Sequence, residues 1–134
     1  MVKSADCTLR KEMEPENIRN RTKRFSGQIV CFVRSLPKGE VGRMFSRQLF
    51  RSGTSVGANM RAAVRAKSTA DMISKLKTVE EELDETQYWL ELIEEDGIES
   101  AATRPLIREA DELLAIVVAS IKSLRRKQAG ASAD

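Results

Sequence analysis

The sequence predicts an all-α protein, an antiparallel up-down-up-down four-helix bundle that forms a homo-oligomer. Three observations predict it. Apolar residues recur at alternating steps of four and three along four successive segments, the spacing of helices packed in a bundle. The segments are joined by short connections, which place sequential helices side by side and antiparallel. Aromatic residues make up only 4% of the 134 residues, so the interior must be aliphatic, as helix packing allows.

Residues 1–14 carry no periodicity and read as a flexible N-terminal segment; the bundle spans 15–127 and a disordered polar tail 128–134. The first helix is expected near Pro15, a good first-turn residue, with the seam Ile18, Thr22, Phe25, Ile29, Phe32 and Leu36. Pro37 ends it, because proline disfavours helix at the residue before it. The second helix runs from about Glu40 to Ala66 with the seam Val41, Phe45, Leu49, Ser52, Val56, Asn59, Ala63 and Ala66. Gly53 and Gly57 sit within it. Each costs about 1 kcal/mol relative to alanine, and close approach of another backbone is the expected compensation. Ser68-Thr69-Ala70-Asp71 has the form of a helix start, with Ser68 accepting from the Asp71 amide. The third helix carries Met72, Leu76, Val79, Leu83, Thr86, Leu90 and Ile93, and Gly97 terminates it. Ser100 or Thr103 caps the fourth, which has Pro105 in its first turn and the seam Ile107, Ala110, Leu114, Val117, Ile121 and Leu124.

The faces opposite these seams carry a second pattern. At about 100° per residue, Arg43, Arg47, Arg51, Arg61 and Arg65 fall within about 80° of one another, turned away from the core. Phe50, Met60 and Val64 fill most of the remaining arc. On the third helix Tyr88, Trp89 and Leu92 project away from the seam, with Glu81 and Glu85 on the same side. These seven residues, Phe50, Met60, Val64, Glu81, Tyr88, Trp89 and Leu92, are the expected oligomer interface. Ser52, Ser55 and Asn59, with Glu82 and Glu85 as partners, are expected to form a buried polar network, since an unpaired buried amide costs about 1–3 kcal/mol.

Net charge is +3, but it is segregated: residues 1–67 carry +10, residues 68–100 carry −9 and residues 101–134 carry +2. Such asymmetry fits either pairing between copies or a one-sided basic surface. No apolar run approaches the roughly 20 residues that span a bilayer, and the first ten residues carry no secretory pattern. Cys7 and Cys31 are too few for a disulfide scaffold, so a reduced, cytoplasmic protein is expected, with a single pairing of the two as the alternative. The chain has no histidine, which removes the usual general base and most zinc and di-iron patterns. No phosphate-binding glycine loop occurs. No enzyme, cofactor or metal is expected.

The run Arg51-Ser52-Gly53-Thr54-Ser55-Val56-Gly57-Ala58-Asn59, with Arg61, Arg65, Ser68, Lys75-Leu76 and the segment Glu81 to Leu92, resembles the family related to the 23S rRNA intervening-sequence protein. The resemblance covers roughly residues 16–125. Met72 stands where an aromatic is common, and Ala62 where some members carry Glu. The resemblance implies a four-helix bundle that often assembles as a ring-like homopentamer. It is also similar, less closely, to the accessory variability determinants of diversity-generating retroelements, which implies RNA or DNA and a reverse transcriptase as partners.

The functional expectation is a non-enzymatic nucleic-acid-binding or ribonucleoprotein accessory, with Arg43, Arg47, Arg51, Arg61 and Arg65 contacting phosphates. The alternative is a protein-interaction scaffold with no nucleic-acid contact. A small-molecule or metal site around Ser52, Ser55 and Asn59 is a third reading.

Overall fold

The computed structural model describes residues 17–98 and 100–133. Four helices account for nearly all of them: α1 Ile18–Arg34, α2 Glu40–Val64, α3 Thr69–Glu95 and α4 Thr103–Ala133. No strand occurs among the described residues, and no helix there is long and apolar enough to cross a membrane. Pro15 and the segment 1–14 lie outside the described residues.

Local chemistry sets the helix ends. Asn17 caps α1 by accepting from the Asn20 amide at 2.8 Å. Ser68 caps α3 by accepting from Asp71 N at 3.1 Å, as its motif predicts. Gly97 follows α3 with φ +84, a left-handed conformation that suits glycine. Ser100 Oγ accepts from Ala102 N at 3.2 Å, and Thr103 becomes the first residue of α4. The segment 128–134, read above as a disordered tail, is helical as far as Ala133. Gln128, Ala129, Ala131 and Ala133 favour helix there after the apolar seam runs out, and Gly130 does not break it.

The core is one cluster drawn from all four helices, including Phe25 and Ile29, Leu49 and Val56, Leu83 and Leu90, and Leu113 and Val117. The seam of α2 differs from expectation. Val41 is exposed and Asn59 only half-buried, whereas Gly42, Gly53 and Met60 are buried. The buried arc therefore rotates toward α1, because the glycines admit that helix on one flank. On α3 and α4 the buried positions include Ile73 and Leu113, with Met72 and Leu114 partly buried beside them.

α2 packs against both α1 and α3, and α3 against α4; α1 and α4 also meet, with the slightest contact of these four pairs. A bidentate pair ties these last two: Arg21 donates from Nε and Nη2 to the Glu109 carboxylate, both at 2.8 Å. The hydrogen bonds to Glu109 raise the Arg21 pKa beyond its ordinary value, against the opposing effect of burial. Arg21→Met leaves Glu109 half-buried without its counter-charge, and should cost about 1–3 kcal/mol in urea unfolding. Adding Glu109→Gln should recover most of that loss.

Cys31 is disulfide-bonded, which corrects the expectation of reduced cysteines. Cys7 lies outside the described residues.

Candidate nucleic-acid interface

The small-residue run of α2 forms a clasp with α1. A Cβ added at Gly53 would lie 2.5 Å from Ile29 Cγ2, and one at Gly57 would lie 2.9 Å from Ser26 Oγ and 3.2 Å from Lys23 Cα. Ser26 Oγ donates to the Gly53 carbonyl at 2.6 Å and accepts from the Gly57 amide at 3.0 Å. It thus spans the two groups that one helical rung would pair. The glycines serve helix packing, as expected. Ser26 escaped the sequence reading because its partners are backbone atoms of another helix, which no local pattern encodes.

The expected buried polar network divides into three parts. Ser52 and Thr86 are fully buried and share a hydrogen bond of 2.9 Å between their hydroxyl oxygens. Ser55 Oγ donates to Arg51 O at 2.7 Å, and Asn59 Nδ2 donates to Ser55 O at 2.9 Å, so both are satisfied within α2. Glu82 and Glu85 instead engage Arg51, with Glu85 directly hydrogen-bonded to its guanidinium and Glu82 3.9 Å away. Trp89 Nε1 donates to the same Glu85 carboxylate at 3.2 Å.

Arg51 is therefore committed to α3 within its own chain. Arg43, Arg47, Arg61 and Arg65 are exposed and make no ion pair among the described residues. Between Asn17 and Lys67, Glu40 is the sole acid, against twelve Lys and Arg. Nothing on α1 or α2 can neutralise this face except that one residue.

The expected oligomer-interface residues separate too. Met60 is only 2% exposed and belongs to the core, a consequence of the rotated seam. Trp89 and Leu92 are half-buried against the core, with Trp89 edge-on to Phe45 at 6.4 Å between ring centres. Tyr88 and Phe50, each 52% exposed, remain outward, as do Val64 and Glu81. Tyr88 packs edge-on against Trp89 at 5.1 Å.

An open pocket at the α3–α4 turn is lined by Glu94, Gly97, Ile98, Ser100, Ala101 and Thr103. The Thr103 hydroxyl has no partner but is sealed from solvent, so the pocket presents it to no ligand.

Residues 15–119 match the family described as 23S rRNA-intervening sequence protein. The chain belongs to that family. Among solved structures, it is similar to a protein of unknown function from the S23 ribosomal protein family of Bacteroides thetaiotaomicron VPI-5482. The two are 32% identical with a TM-score of 0.73, over 79% of this chain and 99% of that one. No curated protein matches the chain. In this member of the family, the small-residue run of α2 thus serves helix packing, and four arginines of that helix face outward.

Proposed function

We propose that this protein is a non-enzymatic, self-assembling four-helix bundle that binds nucleic acid through Arg43, Arg47, Arg61 and Arg65. The observation that carries the reading is the set of four guanidinium groups without an ion pair among the described residues, on a helix whose one acid is Glu40. Such a face lowers its free energy by taking a polyanion and releasing the condensed counterions.

The cross-helix contacts support the antiparallel order. Ile29 meets Gly53 while Ser26 meets Gly57. Phe45 meets Trp89 while Ser52 meets Thr86. Arg104 pairs with Glu94 while Asp111 accepts from Gln87. In each pair of helices, numbers rise on one as they fall on the other. The contrast between the basic first half and acidic α3, together with exposed Tyr88, supports assembly of several copies into a ring, a pentamer by its family likeness. Tyr88 beside Trp89 also favours the second reading, a scaffold that docks a protein.

The test is RNA affinity measured across a salt series. Arg43→Glu/Arg47→Glu should weaken binding at least tenfold. It should also reduce the slope of log affinity against log salt by about 1.4, since each phosphate contact to a single strand contributes about 0.7. Arg51→Gln should leave affinity unchanged, because that guanidinium is held by Glu85. Equal binding by the double variant would remove the arginine face from the function. For assembly, Tyr88→Ala should lower the sedimenting mass; an unchanged mass places Tyr88 outside any contact between copies.

A further inference from the structure

We propose that Phe50 is a stacking platform for a base of single-stranded nucleic acid, seated between two basic clusters on α2. The inference rests on the nucleic-acid reading above and names the kind of strand that face takes.

Phe50 is 52% exposed in the middle of α2. At about 100° per residue it lies within about 20° of Arg43 and Arg61 and about 60° from Arg47 and Arg65, along one edge of the arginine face. Arg43 and Arg47 lie toward the start of α2, and Arg61 and Arg65 at its end. At 1.5 Å rise per residue the face is about 33 Å long, with the ring about 10 Å from Arg43 and about 16 Å from Arg61. Around the ring the surface is low. Thr54 turns its hydroxyl back to the Phe50 carbonyl at 2.6 Å, and Ala58 follows it on the same line. Arg51, next to it in the chain, is drawn away by Glu85, and Arg47 stands one turn before the ring.

An apolar ring set among unpaired cations fits a partner with negative charge and flat apolar surface alternating along its length. A single-stranded nucleic acid has both, because its unpaired bases expose their π faces. A duplex offers the phosphates but keeps its bases stacked inside, leaving the ring without a partner. A second copy of the chain would have to bring an acidic, apolar surface to the same place, and the test separates that case.

The experiment titrates labelled oligouridylate and a duplex RNA of equal length into wild type, Phe50→Ala, Phe50→Leu and Phe50→Trp, with each variant's mass measured without RNA. Phe50→Ala and Phe50→Leu should bind the single strand roughly 5- to 150-fold more weakly, the range of one lost base stack. Duplex affinity and the salt slope should stay as in wild type. Phe50→Trp should bind the single strand at least as well as wild type. Leucine keeps the apolar bulk without the ring, so it separates stacking from mere coverage. If wild type binds RNA and all variants bind equally, the stacking inference falls while the arginine reading stands. If wild type binds neither RNA, both fall. If the leucine and alanine variants lose mass in the absence of RNA, the ring belongs to a contact between copies and the inference is overturned.

Discussion

Gly42→Ala should lower the unfolding free energy by about 3 kcal/mol or more, or abolish folding, although alanine is the better helix former. A Cβ at this position would stand 1.8 Å from the Pro37 carbonyl oxygen, 2.7 Å from its carbon and 3.3 Å from its Cα. All three atoms are backbone, so no rotamer change relieves the overlap; the α1–α2 turn or the start of α2 must move. Overpacking typically costs 1–3 kcal/mol, and more where the obstacle is rigid. Helix propensity offsets only about 1 kcal/mol of that. Gly27→Ala is the control for the sign: Gly27 is exposed on α1 with nothing within 4 Å of an added Cβ. It should stabilise by up to about 1 kcal/mol. Urea unfolding of both variants checks the pair, and a Gly42→Ala midpoint at or above wild type would falsify the close approach of Pro37.

The second large effect is a coupling between Gly53 and Ile29. Alone, Gly53→Ala should cost about 2 kcal/mol, because its Cβ would meet Ile29 Cγ2 at 2.5 Å and both Cβ and Cγ1 at 2.9 Å. Ile29 is fully buried and cannot swing away. Ile29→Ala alone should cost about 2–5 kcal/mol by leaving a cavity. In the Ile29→Ala background the Cγ2 and Cγ1 contacts are gone, and the β-carbon contact at 2.9 Å alone remains. Gly53→Ala should then cost about 1 kcal/mol or less, since helix propensity offsets most of the remaining contact. A double-mutant cycle should therefore give an interaction energy of about 1–3 kcal/mol. Additive single effects would show that the two helices do not meet at this point.

The four helices were legible in the chain because each carries a full amphipathic period, and because Ser68, Gly97 and Pro37 punctuate it with local chemistry. The purpose of Gly53 and Gly57 was legible as well, since two such residues inside a helix need a compensating contact. The rotation of the α2 seam was not. A wheel places Asn59 and Met60 about 100° apart on either flank of the buried arc, and only the direction from which α1 arrives decides which of them is covered. For the same reason Trp89, which reads as an outward aromatic, lies half-buried against Phe45.

The candidate site divides along the same line. The sequence by itself determined that five arginines share one face of α2, because helix geometry fixes angle from residue number. It could not say that Arg51 is spoken for, since its partners Glu82 and Glu85 lie on another helix. Only the tertiary structure set the register between α2 and α3, and with it which guanidinium groups remain unpaired. Intrahelical spacing is a property of the backbone repeat; pairing between helices depends on how their side chains interlock, which the chain encodes only as a whole.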